Sequence, residues 1–195
     1  MRDYLKGILN TFALVVVCPL AALCWFEKNF FPQSETIFSL FVQCVALLPG
    51  LPGIFLRRAF YYMVLDACSL HCVIGFGTIM THRRIVIEEQ VSIGHYAVIG
   101  SSCIGPRCEI GSRVSIPSGK RQHTKDALGQ WSAFNHNVAQ QVKIGADVWL
   151  GEGAIVMNDI GPGSLIGAGS VVIDAIPSDS VAVGNPARLI NARVT

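Results

Sequence analysis

Charged residues are scarce in this chain. Asp, Glu, Lys and Arg make up only 14% of its 195 residues, whereas 51% are hydrophobic; a soluble globular chain carries about a quarter charged residues. The net charge is +2, and the largest basic groups are Arg83–Arg84 and the trio around Lys120. Nucleic-acid binding needs a basic stripe, so we expect no nucleic acid among the partners. The apolar excess predicts a membrane segment, a long buried sheet, or both.

Paired cysteines and clustered histidines are missing as well. The cysteines number seven, which is odd, and no CxxC pair occurs among them. Cys68 and Cys72 have CxxxC spacing without the second pair that a zinc site would need. The histidines lack the close pair expected of a metal site in a β-helical enzyme. We therefore predict free thiols in a reducing compartment and no bound metal.

A long apolar run stands near the beginning of the sequence. Residues 8–26, "ILNTFALVVVCPLAALCWF", carry no charge and approach the ~20 residues that cross a bilayer as a helix. Pro19 would kink this helix, which membrane helices tolerate. A signal peptide is the alternative interpretation, but the run lacks a small-residue cleavage site.

A second apolar stretch, Ile37–Leu48, is followed by "PGLPG" and then by Arg57 and Arg58. The two runs could form a membrane hairpin with the basic residues at both ends in the cytoplasm; a monotopic, re-entrant arrangement is the alternative. The segment "IFLRRAFYYMVLDAC" has the pattern of an amphipathic helix at the membrane surface, and it could also cap the first coil of a stacked β-structure. We assign residues 1–72 to this membrane-anchoring region.

A period of six begins at Ile87. Its lead positions are Ile87, Ile93, Ile99, Ile104, Ile110 and Ile116, and then Ile144, Leu150, Ile160 and Ile166. We expect the lead residue to point inward, the glycine after it to supply a positive φ, and the residue four places on, including Cys103 and Cys108, to fill a corner. Short repeats must stack to bury their faces, so three hexads would form one coil of ~18 residues. The pattern predicts a mainly β chain with a parallel β-helix over 73–187 and a tail, 188–195, that folds over the last coil.

Residues 147–190 resemble a known family. The elements "VWLG", "IGAGSVV" and "VGNPAR" are together similar to the C-terminal signature of hexapeptide-repeat acyltransferases. The segments "LLPGLPGIFLRRAFYYMVLDAC" and "SGKRQH" resemble a membrane-associated branch of that family in surface-polysaccharide pathways. The resemblance implies a left-handed parallel β-helix, a homotrimer with active sites between neighbouring subunits, and acyl transfer from coenzyme A to a hydroxyl or an amine.

The repeat is interrupted by a polar excursion, 118–141, that cannot contribute to a regular core. His123 lies in "SGKRQH", and the resemblance implies that it is the general base that deprotonates the acceptor. Imidazole suits this role because its pKa is near neutrality. His136 stands at the far end of the excursion, where a structural or solvent-exposed role is the simpler interpretation.

The resemblance also implies a coenzyme site in the last coils. Trp149 precedes a lead residue and should point outward, to line either the pantetheine slot or the trimer interface. Gly151 and Ala168-Gly169-Ser170 lack bulk, so a thin ligand could approach the backbone there. Arg188 would bind the phosphates of the coenzyme, with Arg193 as the alternative, because Asp174 stands where many relatives carry a lysine. The expected cofactor-binding residues are thus Trp149, Gly151, Ala168, Gly169, Ser170 and Arg188.

Taken together, the sequence predicts an acetyl-CoA-dependent O-acyltransferase anchored in the inner membrane. Its catalytic domain would face the cytoplasm and act on a saccharide or a lipid-linked glycan. Two alternatives stay open: an acyltransferase for an amine or a soluble acceptor, and a non-enzymatic β-helical scaffold.

Overall fold

The computed structural model describes residues 2–120, 123–125, 128–131 and 139–190, with side chains from residue 6 onward. Three helices come first: α1 (Arg2–Phe30), α2 (Thr36–Ala46) and α3 (Gly50–Val64). Sixteen short strands follow in the described part of the chain, and they form three sheets.

The strands wind into a three-sided parallel β-helix of about six coils, as the repeat predicts. Each coil contributes one position to each sheet, in the order A, B, C. Left-handed coiling stays a prediction. Sheet A holds β1 (Ala67–Cys68), β4 (Ile85–Ile87), β7 (Ser102–Ile104) and β10 (Val142–Ile144). Sheet B holds β2 (Val73–Ile74), β5 (Ser92–Ile93), β8 (Glu109–Ile110), β11 (Trp149–Leu150), β13 (Leu165–Ile166), β15 (Val181–Val183) and β16 (Arg188–Ile190). Sheet C holds β3 (Ile79–Met80), β6 (Val98–Ile99), β9 (Ser115–Ile116), β12 (Ile155–Val156) and β14 (Val171–Val172).

The β-helix has slightly different limits from those predicted. It begins at Ala67, before the expected residue 73, because β1 already pairs in parallel with β4. At the other end the predicted tail contributes β16, which turns back and pairs antiparallel with β15. This reversal gives β15, the last parallel strand of sheet B, a hydrogen-bonded neighbour.

The lead residues form the core, as the period predicts. All of them are buried, from Ile87 to Ile166. Cys108 is a buried corner residue as expected, but the expectation for Cys103 is wrong. Cys103 is the middle residue of β7 and is partly exposed, while Ser101 and Ser102 are buried beside it. The five-residue spacing between Ile99 and Ile104 shifts the register by one residue, so the inward positions fall on the serines.

The glycine that follows each lead residue does not have the predicted positive φ. That conformation falls two residues later, for example at Tyr96 and Arg113. The glycine is required for a different reason: a Cβ on Gly151 would lie 2.4 Å from the backbone nitrogen of Ala168 in the next coil. Close stacking of successive coils therefore selects glycine there.

Helices α2 and α3 cap the first coil. Phe60 and Tyr61 of α3 are fully buried, and the Tyr61 hydroxyl donates to the Thr78 carbonyl at 3.4 Å. Arg57 was expected to flank a membrane hairpin, but in the structure it is part of the cap. Its side chain is only 1% exposed and donates to the carbonyls of Leu48, at 2.5 Å, and Ile74, at 2.9 Å. Arg58 is also buried.

Helix α1 packs on α3 and α2. Near its beginning, Asn10 Oδ1 accepts hydrogen bonds from the Arg58 guanidinium. Near its end, Glu27 forms a buried ion pair with Arg83 and accepts the backbone N–H of Ile37 at 2.8 Å. Of the described helices, α1 alone is long and apolar enough, by length and composition, to cross a membrane.

Candidate active site

The polar excursion leaves the β-helix at the corner between sheets C and A. It starts after β9 and ends at β10. Near its start, Lys120 Nζ lies 3.1 Å from Asp174 Oδ1, and Asp174 occupies the same corner two coils further on. The excursion is thereby tied to the C-terminal coils along one edge of the prism. Asp174, where a phosphate-binding lysine was expected, is thus the partner of a lysine from the excursion.

The described part of the excursion contains a short turn beside His123. Lys125 and Trp131 form an antiparallel bridge, and Lys125 Nζ lies 5.1 Å from the centre of the Trp131 ring. His123 is exposed next to this bridge. Its role as a base stays a prediction. His136 and Arg193 lie outside the described residues.

The corner between sheets B and C changes character along the prism. The position with positive φ is occupied by Tyr96 and Arg113 in the second and third coils, and by Gly153 and Gly169 in the fourth and fifth. At both glycines an added Cβ would have no atom within 4 Å. We call Gly153 and Gly169 the bare corner. A narrow ligand could lie against the backbone there, whereas the side chains of the earlier coils would obstruct it.

Three predicted cofactor residues lie at or beside the bare corner. Ala168 and Gly169 are exposed, and Gly151 stacks directly on Ala168. Ser170 is different, because its side chain is buried and its hydroxyl accepts the Gly184 N–H at 3.0 Å. Its hydroxyl therefore serves the fold.

Trp149 and Arg188 project from sheet B, which adjoins the bare corner. Trp149 is 57% exposed, so its outward direction is as predicted. Arg188 is on β16, three strands along the sheet from Trp149, or about 14 Å at the usual strand spacing. The structure thus gathers the predicted cofactor residues on sheet B and its corner with sheet C. The excursion with His123 leaves from the opposite edge of sheet C.

Ion pairs stand beside the bare corner and on the neighbouring edge. Arg113 and Glu152 are joined at 2.8 Å, next to Gly153. Arg107 and Asp147 are joined at 2.5 Å at the corner between sheets A and B, and this arginine lowers the pKa of Asp147. Glu152 is thus paired with an arginine of the preceding coil.

The thiols of Cys103 and Cys108 are poor nucleophiles. Burial raises the pKa of Cys108 to about 11, and its Sγ lies 3.0 Å from the Gly145 carbonyl oxygen. Burial also raises the pKa of Cys103. A thiolate is the reactive form of cysteine, so neither group is suited to covalent catalysis. Among the residues described, no three His, Cys, Asp or Glu side chains converge in a possible metal site.

Comparison with known proteins agrees with this geometry. No family model matches the chain. A serine acetyltransferase of Bacillus subtilis is 36% identical over 137 residues, which are 69% of this chain and 57% of that enzyme. The crystal structure of a maltose O-acetyltransferase from Clostridium difficile superposes with a TM-score of 0.68 at 23% identity, covering 84% of this chain and 89% of that one.

A hexapeptide-repeat acetyltransferase from Vibrio cholerae has the same architecture, with a TM-score of 0.60, 18% identity and coverage of 81% and 89%. The chain has the fold of the hexapeptide-repeat acetyltransferases. It spans 57% of the length of the Bacillus enzyme and between 27% and 64% of other curated acetyltransferases that it matches.

Within the hexapeptide-repeat fold, the structure adds three residues that the sequence had not singled out for the site. They are Gly153 at the bare corner, Arg113 in its ion pair with Glu152, and Lys120 in its ion pair with Asp174. The signal for Gly153 was present in the sequence. Gly153 and Gly169 both stand three places after a lead residue, but the more regular glycine one place after the lead residue masks this signal.

Proposed function

We propose that this chain transfers an acetyl group from acetyl-CoA to a hydroxyl group of a saccharide. The observation that carries the proposal is the bare corner in the fourth and fifth coils, within the segment that resembles the acyltransferase signature. There the backbone is open to a narrow ligand beside the exposed Trp149. The sugar acceptor rests on the similarity in fold to a maltose O-acetyltransferase.

In this mechanism His123 accepts the proton of the acceptor hydroxyl. The hydroxyl oxygen attacks the thioester carbonyl carbon, a backbone N–H stabilises the oxyanion, and collapse expels the coenzyme A thiolate. The proton held on the imidazole then neutralises that thiolate. This direct transfer needs no acyl-enzyme, and Cys108, whose pKa burial raises to about 11, is not suited to form one.

The site would be completed by a second copy of the chain. The excursion and the bare corner lie at opposite edges of sheet C, so a neighbouring β-helix packed beside this one could bring its own excursion to the bare corner. This supports a homotrimer with sites between the subunits. Because acetyl-CoA is a cytosolic donor, the same proposal places the catalytic domain at the cytoplasmic face of the inner membrane.

The test is turnover of acetyl-CoA with maltose and related saccharides, followed by mass spectrometry of the product. His123→Ala should lower kcat by about 10²–10⁴-fold while the fold is kept. His71→Ala is the matched control, because His71 is exposed at the opposite end of the β-helix. Unchanged turnover by His123→Ala would refute the base assignment. Acetylation of amino sugars alone would instead support an N-acyltransferase. If the wild type turns over acetyl-CoA with none of these saccharides, the hypothesis of a non-enzymatic scaffold is favoured.

A further inference from the structure

The two faces of α1 have opposite surroundings. Ala13, Val17, Ala21 and Cys24 are buried, and their spacing places them on one stripe of the helix. Large apolar side chains cover the opposite face. Phe12 is 66% exposed and Val15 68%, and the set continues with Ile8, Val16, Leu23, Phe26 and Phe30. Trp25, which is 64% exposed, lies at the margin of this face, and the exposed Phe31 directly follows the helix.

This apolar face carries no charge along most of its length. No charged residue occurs between Lys6 and Glu27, and Glu27 is turned inward, with only 2% of its surface exposed. Leu40 of α2, Leu47 of the α2–α3 connection and Leu51 of α3 are exposed too. Soluble monomers rarely expose an apolar patch of this extent. The absence of charge and the aromatic groups around Trp25 fit the chemistry of a lipid interface.

The direction of α1 follows from its attachments. Asn10 is bound to Arg58, and Glu27 is bound to Arg83. These two attachments are about 25 Å apart along the helix axis at ~1.5 Å per residue. A helix that crossed the membrane would carry one of these arginines, and the coil behind it, into the hydrocarbon, which is costly. Because α1 is attached to the capping layer at both ends, it lies across the end of the β-helix.

We propose that α1 lies in the plane of the membrane, with its exposed apolar face in the bilayer interface and the β-helix rising from that surface. A helix of this kind sinks about 5–10 Å into the headgroup and acyl boundary. The inference refines the membrane association proposed above and does not depend on the catalytic assignment. It also places the bare corner three to four strand spacings, or about 14–20 Å, further from the bilayer than the first coil. A lipid-linked acceptor would have to present its sugar at that height.

Fluorescence quenching tests the proposal in the full-length chain. The protein is mixed with vesicles of phosphatidylcholine and phosphatidylglycerol that contain lipids brominated at defined depths. One variant carries Val15→Trp and the other Phe26→Trp; Trp25, Trp131 and Trp149 are changed to Phe in both. Positions 15 and 26 lie about three turns apart on the same face of α1. An in-plane helix should place the two reporters at the same shallow depth, whereas a spanning helix would separate them by about 16 Å.

Two further measurements keep the proposal falsifiable. Val15→Asp should weaken vesicle flotation at least tenfold, while Val98→Asp on the β-helix, a control at a partly exposed valine, should leave it unchanged. Circular dichroism checks that both variants fold. A depth difference of about 16 Å overturns the in-plane arrangement. Absence of vesicle binding, with self-association that Val15→Asp abolishes, would show that the face is covered by a second copy and would also overturn it.

Discussion

Arg57 should hold the helical cap on the β-helix. Its Nε donates to the Ile74 carbonyl at 2.9 Å and its Nη1 to the Leu48 carbonyl at 2.5 Å, with longer contacts of 3.5 Å to Val45 and Ala46. The guanidinium thus satisfies carbonyls at the end of α2 and joins them to the first coil. In Arg57→Met the apolar stem is kept but these carbonyls lose their donor.

The magnitude follows from the two short hydrogen bonds. A hydrogen bond to a charged group contributes roughly 1.5–3 kcal/mol, and the contacts at 3.5 Å add little because hydrogen bonds weaken at that distance. The expected loss is therefore about 3–6 kcal/mol, which for a chain of this size lowers the Tm by roughly 6–24 °C. We expect circular dichroism to show this loss, and limited proteolysis to cut first between α2 and α3.

A matched arginine makes the experiment decisive. Arg113→Met removes a mostly exposed guanidinium from a surface ion pair, and such pairs contribute little to stability, so its Tm should stay near that of the wild type. If Arg57→Met is as stable as Arg113→Met, the carbonyl contacts do not secure the cap and the reasoning fails.

Further predictions concern the bare corner and the acid stability of the cap. Gly169→Asn fills the corner with a residue that tolerates positive φ; the KM for acetyl-CoA should rise about tenfold, while Gly50→Asn, at another open positive-φ glycine in the cap, should leave it unchanged. The acid stability of the cap depends on Glu35. Burial by itself would raise the pKa of this carboxyl, but hydrogen bonds from His82 and from the Arg83 N–H lower it below its usual 4.5. A depressed carboxyl pKa gives stability that is present above the unfolded pKa and lost as pH falls through the folded pKa. Unfolding measured from about pH 6 to pH 3 should show this loss, and Glu35→Gln should reduce it; equal slopes for both proteins would contradict the assignment.

Much of the fold was predictable because the β-helix is built from local repeats. A lead residue every six positions is sufficient to identify the inward face, so Ile87, Leu150 and Ile166 were placed correctly. The predicted corner position of Cys103 was wrong because the repeat before it is one residue short. A single missing residue moves every later side chain of that strand to the other face. The excursion was equally visible as a break in the period, although its attachment through Lys120 to Asp174 was not.

Local sequence was enough to establish the period, the buried positions and the place where the coils are interrupted, because each depends on residues a few positions apart. The inward direction of Arg57 and Arg58, the pairing of Glu27 with Arg83, and the position of α1 across the end of the prism emerged only once the chain was folded. These outcomes depend on partners that are in most cases dozens of residues away. A buried arginine and a flanking cytoplasmic arginine have the same local sequence, and only the carbonyls and carboxylates that the fold brings to them distinguish the two.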